Sequence, residues 1–304
     1  MAQLLKLEDC VSRYESDVFR YTGQYIRLKR DRWKRVKTNW QNRRADEASV
    51  QNEPEETVKE KKWWQKKVGE SKPFIEDIHD MDSLPDFEEL KEKYKRELYQ
   101  FQLKWASSTL REKSPLTQSN QSDPYLKFLL TELPDNYLVL YKPVVQLKQA
   151  ATQLEVILIG PDSIHCLVFL DLERDSIVSG LNERFWRVEG SKHTNQLISP
   201  VPAIQRMNYF IDTVIDHDQL NMKINYTLVA KKGFVDNDSV PSYIKIVDRR
   251  TFEEWHSRLK RQPSPIKFTQ LKAAKAMLDH CIVTAYHRPE WDSDSEQWFS
   301  SPSD

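Results

Sequence analysis

Glycine is nearly missing from this chain, with 6 residues in 304. A phosphate-cradling loop or a dinucleotide fingerprint needs several glycines at fixed spacing, and no such spacing occurs. Cysteine is as scarce. Cys10, Cys166 and Cys281 lie far apart, are odd in number and form no C-x-x-C pair. That excludes a disulfide framework and a zinc ribbon, and it predicts reduced thiols in a cytoplasmic protein. No run approaches the ~20 apolar residues of a membrane span. Glu8 and Asp9 stand where the apolar core of a secretory leader would continue, so none is expected. Charge of one sign is also missing, because Lys+Arg and Asp+Glu are both 46. A uniformly basic nucleic-acid binder is therefore excluded, though local asymmetry is not. What the chain does have is charge in quantity: 30% of residues are charged and 39% hydrophobic, below the ~45–50% apolar share of ordinary domains. One core plus long, exposed, charged segments is the expectation.

The apolar spacing at the start is helical. Leu4, Leu7, Val11, Tyr14, Val18, Tyr21, Tyr25 and Leu28 alternate steps of three and four, and Trp33, Val36 and Trp40 continue on a neighbouring stripe. This predicts a coiled-coil-like helix whose seam drifts. A second stripe, Leu90, Tyr94, Leu98, Phe101 and Trp105, predicts a partner helix over 86–111 capped by Asp86 with Glu89 three residues on. The two make an α-helical hairpin over a charged region 1–112, with self-association through the same seam as the rival arrangement. A polar connection over 45–62 and the pair Trp63-Trp64 lie between them.

Residues 113–122 are rich in Ser, Gln and Asn and read as a linker, and 290–304 read as an acidic flexible tail. Between them, 123–289 change character. A helix is expected over 125–133, strands over 137–145, 154–159 and 164–171, shorter strands over 176–178 and 184–189, and a helix over 203–215. Strands at 225–230 and 243–247 and helices at 251–259 and 269–281 follow. This order predicts an α/β (α+β) domain built on a central mixed sheet flanked by helices.

Two stretches offer chemistry. Residues 27–44 hold nine basic residues, Arg27, Lys29, Arg30, Arg32, Lys34, Arg35, Lys37, Arg43 and Arg44, against the one acid Asp31, with Trp33 and Trp40 interleaved. They predict either a footprint for nucleic acid or an anionic membrane surface, or a solvated helix face whose indoles pack on the neighbouring helix. Lys61, Lys62, Lys66 and Lys67 form a second basic cluster around Trp63-Trp64. The other stretch is the pair of apolar strands that begins at Glu155. An acid on one strand, with an acid and a lysine two residues apart on the next, is how many nucleases hold a divalent cation and activate water; spacing by two sets both side chains on one strand face.

Several ordered pieces then resemble the nuclease-related domain (NERD) family, whose fold is related to restriction endonucleases. They are L-P-D-N-Y at 133–137, T-Q-L-E at 152–155 against the family's T-Q-I-D, and Gly160-Pro161 with Ile164 against G-P-x-G-I-F. P-V-P-A-I-Q-R-M-N-Y-F-I-D-T-V-I at 200–215 resembles the helix that opens with P-x-x-Q, and 226–230, 244–247 and the helix around Trp255 resemble the closing part. The resemblance covers about half of the chain. It implies a restriction-endonuclease-like sheet, and it sets Glu155 on the family's strand aspartate and Asp123 nearest its helical acid. The E-x-K positions, however, fall on Val168 and Leu170. Migrated groups would have to come from Asp171 and Glu173, Lys148 or His165. The expectation is a binding or scaffolding module whose nuclease centre is degenerate, with Glu155 its vestigial acid and no cofactor. The alternatives are a Mg²⁺-dependent nuclease with relocated residues, or a peripheral membrane or assembly protein that uses the basic helix. Partners would be nucleic acid or an anionic surface through that helix, or a protein through the helical seam.

Overall fold

The computed structural model describes residues 1–50, with side chains to 45, and 86–190, 194–215, 220, 222–236, 238, 240–262 and 264–288. In chain order its elements are β1 Gln3–Leu7, α1 Arg13–Ser16, α2 Val18–Val50, α3 Phe87–Trp105, β2 Glu112–Lys113, α4 Gln118–Ser122, α5 Pro124–Glu132, β3 Leu138–Tyr141, β4 Val144–Leu147, β5 Ala150–Gln153, β6 Val156–Ile159, β7 Ser163–Phe169, β8 Ile177–Gly180, β9 Phe185–Glu189, β10 Thr194–Ile198, α6 Val201–Val214, β11 Lys223–Ala230, β12 Phe234–Val235, β13 Ile244–Asp248, α7 Phe252–Lys260, α8 Phe268–Leu278 and β14 Tyr286–His287. No helix among the described residues is long and apolar enough to cross a membrane. The chain divides into two compact units, Met1–Gly23 with Phe101–Asp304, and Gln24–Gln100.

The first unit is an α/β domain on a six-stranded mixed sheet in the order β1-β3-β6-β7-β11-β13. β3, β6 and β7 form an antiparallel meander. β1 joins β3 in parallel at one edge, and β11 and β13 run parallel to β7 at the other. β6 is V-I-L-I and is buried throughout, as expected of a strand covered on both faces. A four-stranded sheet, β10-β9-β8-β12, accompanies it. Gln270 of α8 is fully buried and donates to the carbonyls of Asn136 and Ile159, which ties that helix to the end of β6.

Two sequence expectations are corrected here. The helix expected from the start of the chain is interrupted: residues 3–7 form β1, and α1 ends at Asp17, whose backbone is extended, before α2 begins. The physical reason lies in Gln3–Leu7, where all five residues are buried, a two-sided burial that a strand in a covered sheet provides and an amphipathic helix does not. Lys6, fully buried in that strand, pairs with Glu15, which also completes the capping box with Ser12. Residues 113–122 are not a linker either. Thr117 caps α4, the Ser114 hydroxyl donates to the Thr284 carbonyl while accepting from the Val11 N–H, and Asn120 donates to the Glu8 carboxylate at 2.9 Å. The polar residues that resemble a loop by composition serve as caps and cross-links. The domain therefore reaches past 123–289 to include β1 and 101–122.

In the second unit α2 and α3 pack side by side. Val36, Trp40 and Leu90 form its buried cluster, with Trp33, Phe87 and Tyr94 against them. Trp33 meets Tyr94 at 4.9 Å and Trp40 meets Phe87 at 5.3 Å between ring centroids, so the numbering rises along one helix as it falls along the other and the pair is antiparallel. The connection over 51–85, with Trp63-Trp64 and its lysines, and the acidic stretch 290–304 lie outside the described residues.

Candidate functional site

Glu155 sits where a ribbon bends away from the sheet. The β3–β6 register runs Leu138↔Ile159 to Leu140↔Ile157, and the β4–β5 register runs Val144↔Gln153 to Leu147↔Ala150. The two registers are one: the residue numbers of every pair share the same midpoint. The Leu154 N–H donates to the Pro143 carbonyl at 2.9 Å, which keeps the rungs aligned through the interruption. Lys142 and Glu155 are therefore opposite each other in a long hairpin whose tip is Lys148-Gln149. Lys142 adopts φ 49°, a left-handed conformation that turns the strand there. Glu8 brackets the turn, donating its N–H to the Tyr141 carbonyl and accepting at its own carbonyl from Val144. On the other side, Val156↔Leu167 pairing brings Val168 across from Glu155.

The charges around this rung are mixed. Asp123 caps α5 through the N–H groups of Tyr125 and Leu126, and Lys142 Nζ stands 3.4 Å from its Oδ2. Burial works against the Asp123 carboxylate, but hydrogen bonds from Tyr141 and the two backbone N–H groups, with the Lys142 charge, hold its pKa below the ordinary value. Glu155 goes the other way: desolvation raises its pKa, and Lys142 and Arg206 offset only part of that. The β7 residues beside Glu155 form an aliphatic wall. Val168 and Leu170 are 5% and 7% exposed.

None of the imagined substitutes joins this rung. Asp171 is solvent-exposed, near Lys232 at 3.6 Å and accepting from the Tyr125 hydroxyl. Glu173 is exposed. Lys148 lies over the Tyr209 ring. His165 exchanges a hydrogen bond with the Ser163 hydroxyl at 2.9 Å, and burial with the Lys245 charge pushes its pKa down to about 4. Among the described residues no group of three or more His, Cys, Asp and Glu is arranged to hold a metal ion. A divalent cation wants several oxygen ligands, anionic ones above all. The side chains here, two carboxylates with Lys142 and Arg206 among them, do not fit one. Sequence reasoning missed Lys142 and Arg206. The signal for Lys142 was available, because it and Glu155 are equidistant from the two-residue turn at Lys148-Gln149.

The basic residues of α2 divide by face. Arg27, Arg30, Lys34, Arg35 and Lys37 are exposed, while Lys29 and Arg32 are half-buried. Trp33 and Trp40 point into the helical pair, so the indoles serve packing, the second of the two sequence readings. On α3, Glu88 and Glu92 pair with Lys91 and Lys95 of their own helix at 2.5 and 2.7 Å. A separate cleft of about 780 Å³ is lined by Arg184, Trp186, Ser199, Val201 and Gln205 among others and does not include Glu155.

No family profile matches the chain, and no solved structure matches it. Over 73 residues, 23% of this chain, it is 41% identical to an RNA 2′,3′-cyclic phosphodiesterase of Geobacillus stearothermophilus. The match takes in 23% of that protein's length, so the similarity spans about a quarter of each chain.

Proposed function

We propose that this chain is a NERD-like protein with a catalytically degenerate, restriction-endonuclease-like centre, acting in the cytoplasm as a binding or scaffolding module. The observation that carries the reading is the rung Lys142–Glu155–Val168. A metal-dependent nuclease needs a second carboxylate and a lysine on the strand beside its first acid, to hold the cation and to stabilise the developing charge. Here Val168 and Leu170 occupy those positions, and the acid that remains faces two cations. Placing a charge on that aliphatic wall requires desolvation without a partner, at a cost of several kcal/mol.

The test is a cleavage assay on plasmid DNA and on RNA with Mg²⁺ or Mn²⁺, beside Glu155→Ala. The partial likeness to an RNA phosphodiesterase makes RNA the more demanding arm. No cation-dependent cleavage is expected. Cleavage by the wild-type chain that disappears in Glu155→Ala overturns the reading in favour of a nuclease with relocated residues, for which Asp123 is the first candidate ligand.

A further inference from the structure

We infer that the outward face of α2 is a cationic rail that binds the sugar–phosphate backbone of duplex nucleic acid. The inference is independent of what happens at Glu155. Arg27, Arg30, Lys34, Lys37 and Arg44 are all exposed. They follow one another by three, four, three and seven residues, a spacing that keeps them on one stripe of a helix. At 1.5 Å per residue the stripe is about 25 Å long, with neighbouring charges roughly 5 Å apart where the steps are three or four. Trp33, Val36 and Trp40, which pack against α3, are centred roughly 95° away round the same helix, with Arg44 at the edge of the stripe nearest them. Packing therefore holds the helix while the rail faces solvent.

Two observations separate this surface from an ordinary solvated face. Of the acids on α3, Glu88 and Glu92 pair with Lys91 and Lys95 of their own helix, and Glu97 acts on Arg32, which is not part of the stripe. The only acid within 27–44 is Asp31, at the edge of the stripe beside Arg27 and Lys34, so five cations face at most one carboxylate of their own helix. The stripe's composition also favours phosphate, because guanidinium groups make bidentate contacts with phosphate oxygens, and Arg27, Arg30 and Arg44 supply three of them. Arg44 lies 5.2 Å from the Trp40 ring centroid, a contact that steadies the end of the stripe.

The same packing argues for nucleic acid over lipid. A helix that lies in a membrane interface needs an apolar face to bury among acyl chains. On α2 that face is spent on Phe87, Leu90 and Tyr94. A duplex needs no apolar insertion: it presents one negative charge per ~1.7 Å of axis, and binding is driven by release of its condensed counterions. With Trp33 and Trp40 of α2 turned into the helical pair, the rail itself reads backbone and not bases.

The experiment uses the full chain, labelled 24-base-pair DNA and RNA duplexes, and vesicles of phosphatidylcholine with phosphatidylserine. Affinity is followed by anisotropy from about 50 mM salt upward, where loss with salt reports the number of phosphates contacted. Arg30→Gln, Lys34→Gln and Lys37→Gln combined should weaken duplex binding at least about tenfold and flatten the slope of log K against log salt by about three. Circular dichroism should be unchanged, since glutamine keeps helix propensity. The control combines Lys127→Gln, Lys223→Gln and Lys272→Gln, three exposed lysines of the other unit, and should leave the slope as it was. The rail is overturned by equal losses in both variants, by absence of duplex binding at low salt, or by binding to the vesicles without binding to either duplex.

Discussion

At the scale of single residues, two half-buried titratable groups pull stability in opposite directions with pH. Glu155 has its pKa raised by desolvation. An acid raised in the folded state contributes stability below its ordinary value, and that stability is lost as pH rises through the raised value. Glu155→Gln should therefore stabilise the chain against urea at pH 7 and not at pH 4. His165 is lowered to about 4 by burial and the Lys245 charge. A histidine kept neutral by the fold contributes stability above its ordinary value of about 6.5, lost as pH falls between there and about 4. His165→Gln should remove that acid-side loss, and the His165 imidazole resonances of the wild type should titrate near pH 4. An ordinary titration near 6.5 refutes the half-buried, Ser163-bonded position. Neither residue announces its environment in the sequence. His165 reads correctly as a packed histidine because its neighbours Ile164, Cys166 and Leu167 are apolar, but Lys245 comes from β13, on the far side of β11, and no local pattern shows it.

Among elements, β1 decides what can be cut away. Leu4, Leu5 and Leu7 are fully buried, and β1 covers the edge of β3. A fragment 123–289, which composition alone recommends as a domain, lacks this strand and the Trp105 ring that meets Tyr14 at 5.9 Å. It should be unfolded or aggregated by circular dichroism and light scattering, because an unpaired apolar edge invites association, whereas 1–288 should be folded. In the other unit, Trp40→Ala removes a ring that is 7% exposed, and about 3 kcal/mol is expected for such a truncation. Amide exchange in α3 should accelerate while that of β6 and β7 does not. Most strands and helices after 123 are legible because apolar runs such as Val156–Ile159, closed by Gly160-Pro161, stand out; the break of 137–145 into β3 and β4 and the polar strands β5 and β10 are not. The beginning is not, because Leu4 and Leu7 satisfy a helical spacing as well as a strand, and a lysine between them argues against a core. Only the distant Glu15 carboxylate makes Lys6 acceptable there.

For the whole molecule, balance of charge is a physical property in its own right. With 46 basic and 46 acidic residues and an isoelectric point near 7.1, solubility should be lowest near neutral pH at low salt, where net repulsion between molecules vanishes. Because the basic charge is concentrated on α2, added salt should dissolve the protein by screening attraction between unlike patches. Light scattering across pH 6 to 8, with and without added salt, measures this; scattering that rises on adding salt contradicts it. The overall balance of charge conceals the rail, whose basic residues are legible as a run in 27–44; what the structure adds is that the indoles face inward and that Glu88 and Glu92 of α3 pair along their own helix.

The parallel pairing of β1 with β3 also has a consequence in time. Gln3 aligns with Leu138 and Leu7 with Tyr141, so the strand leaves the ribosome long before its partner. At about 5–20 residues per second, that interval is roughly 7–27 s. During it a five-residue stretch that ends up wholly buried is exposed to whatever binds nascent chains. The Thr284 N–H, which donates to the Asp9 carbonyl, arrives later still, so the turn that follows β1 is closed from a segment made well after β3. Assembly of the sheet is thus governed by when the middle and the last described segments emerge, and a strand that is first in the sequence is among the last to reach its place.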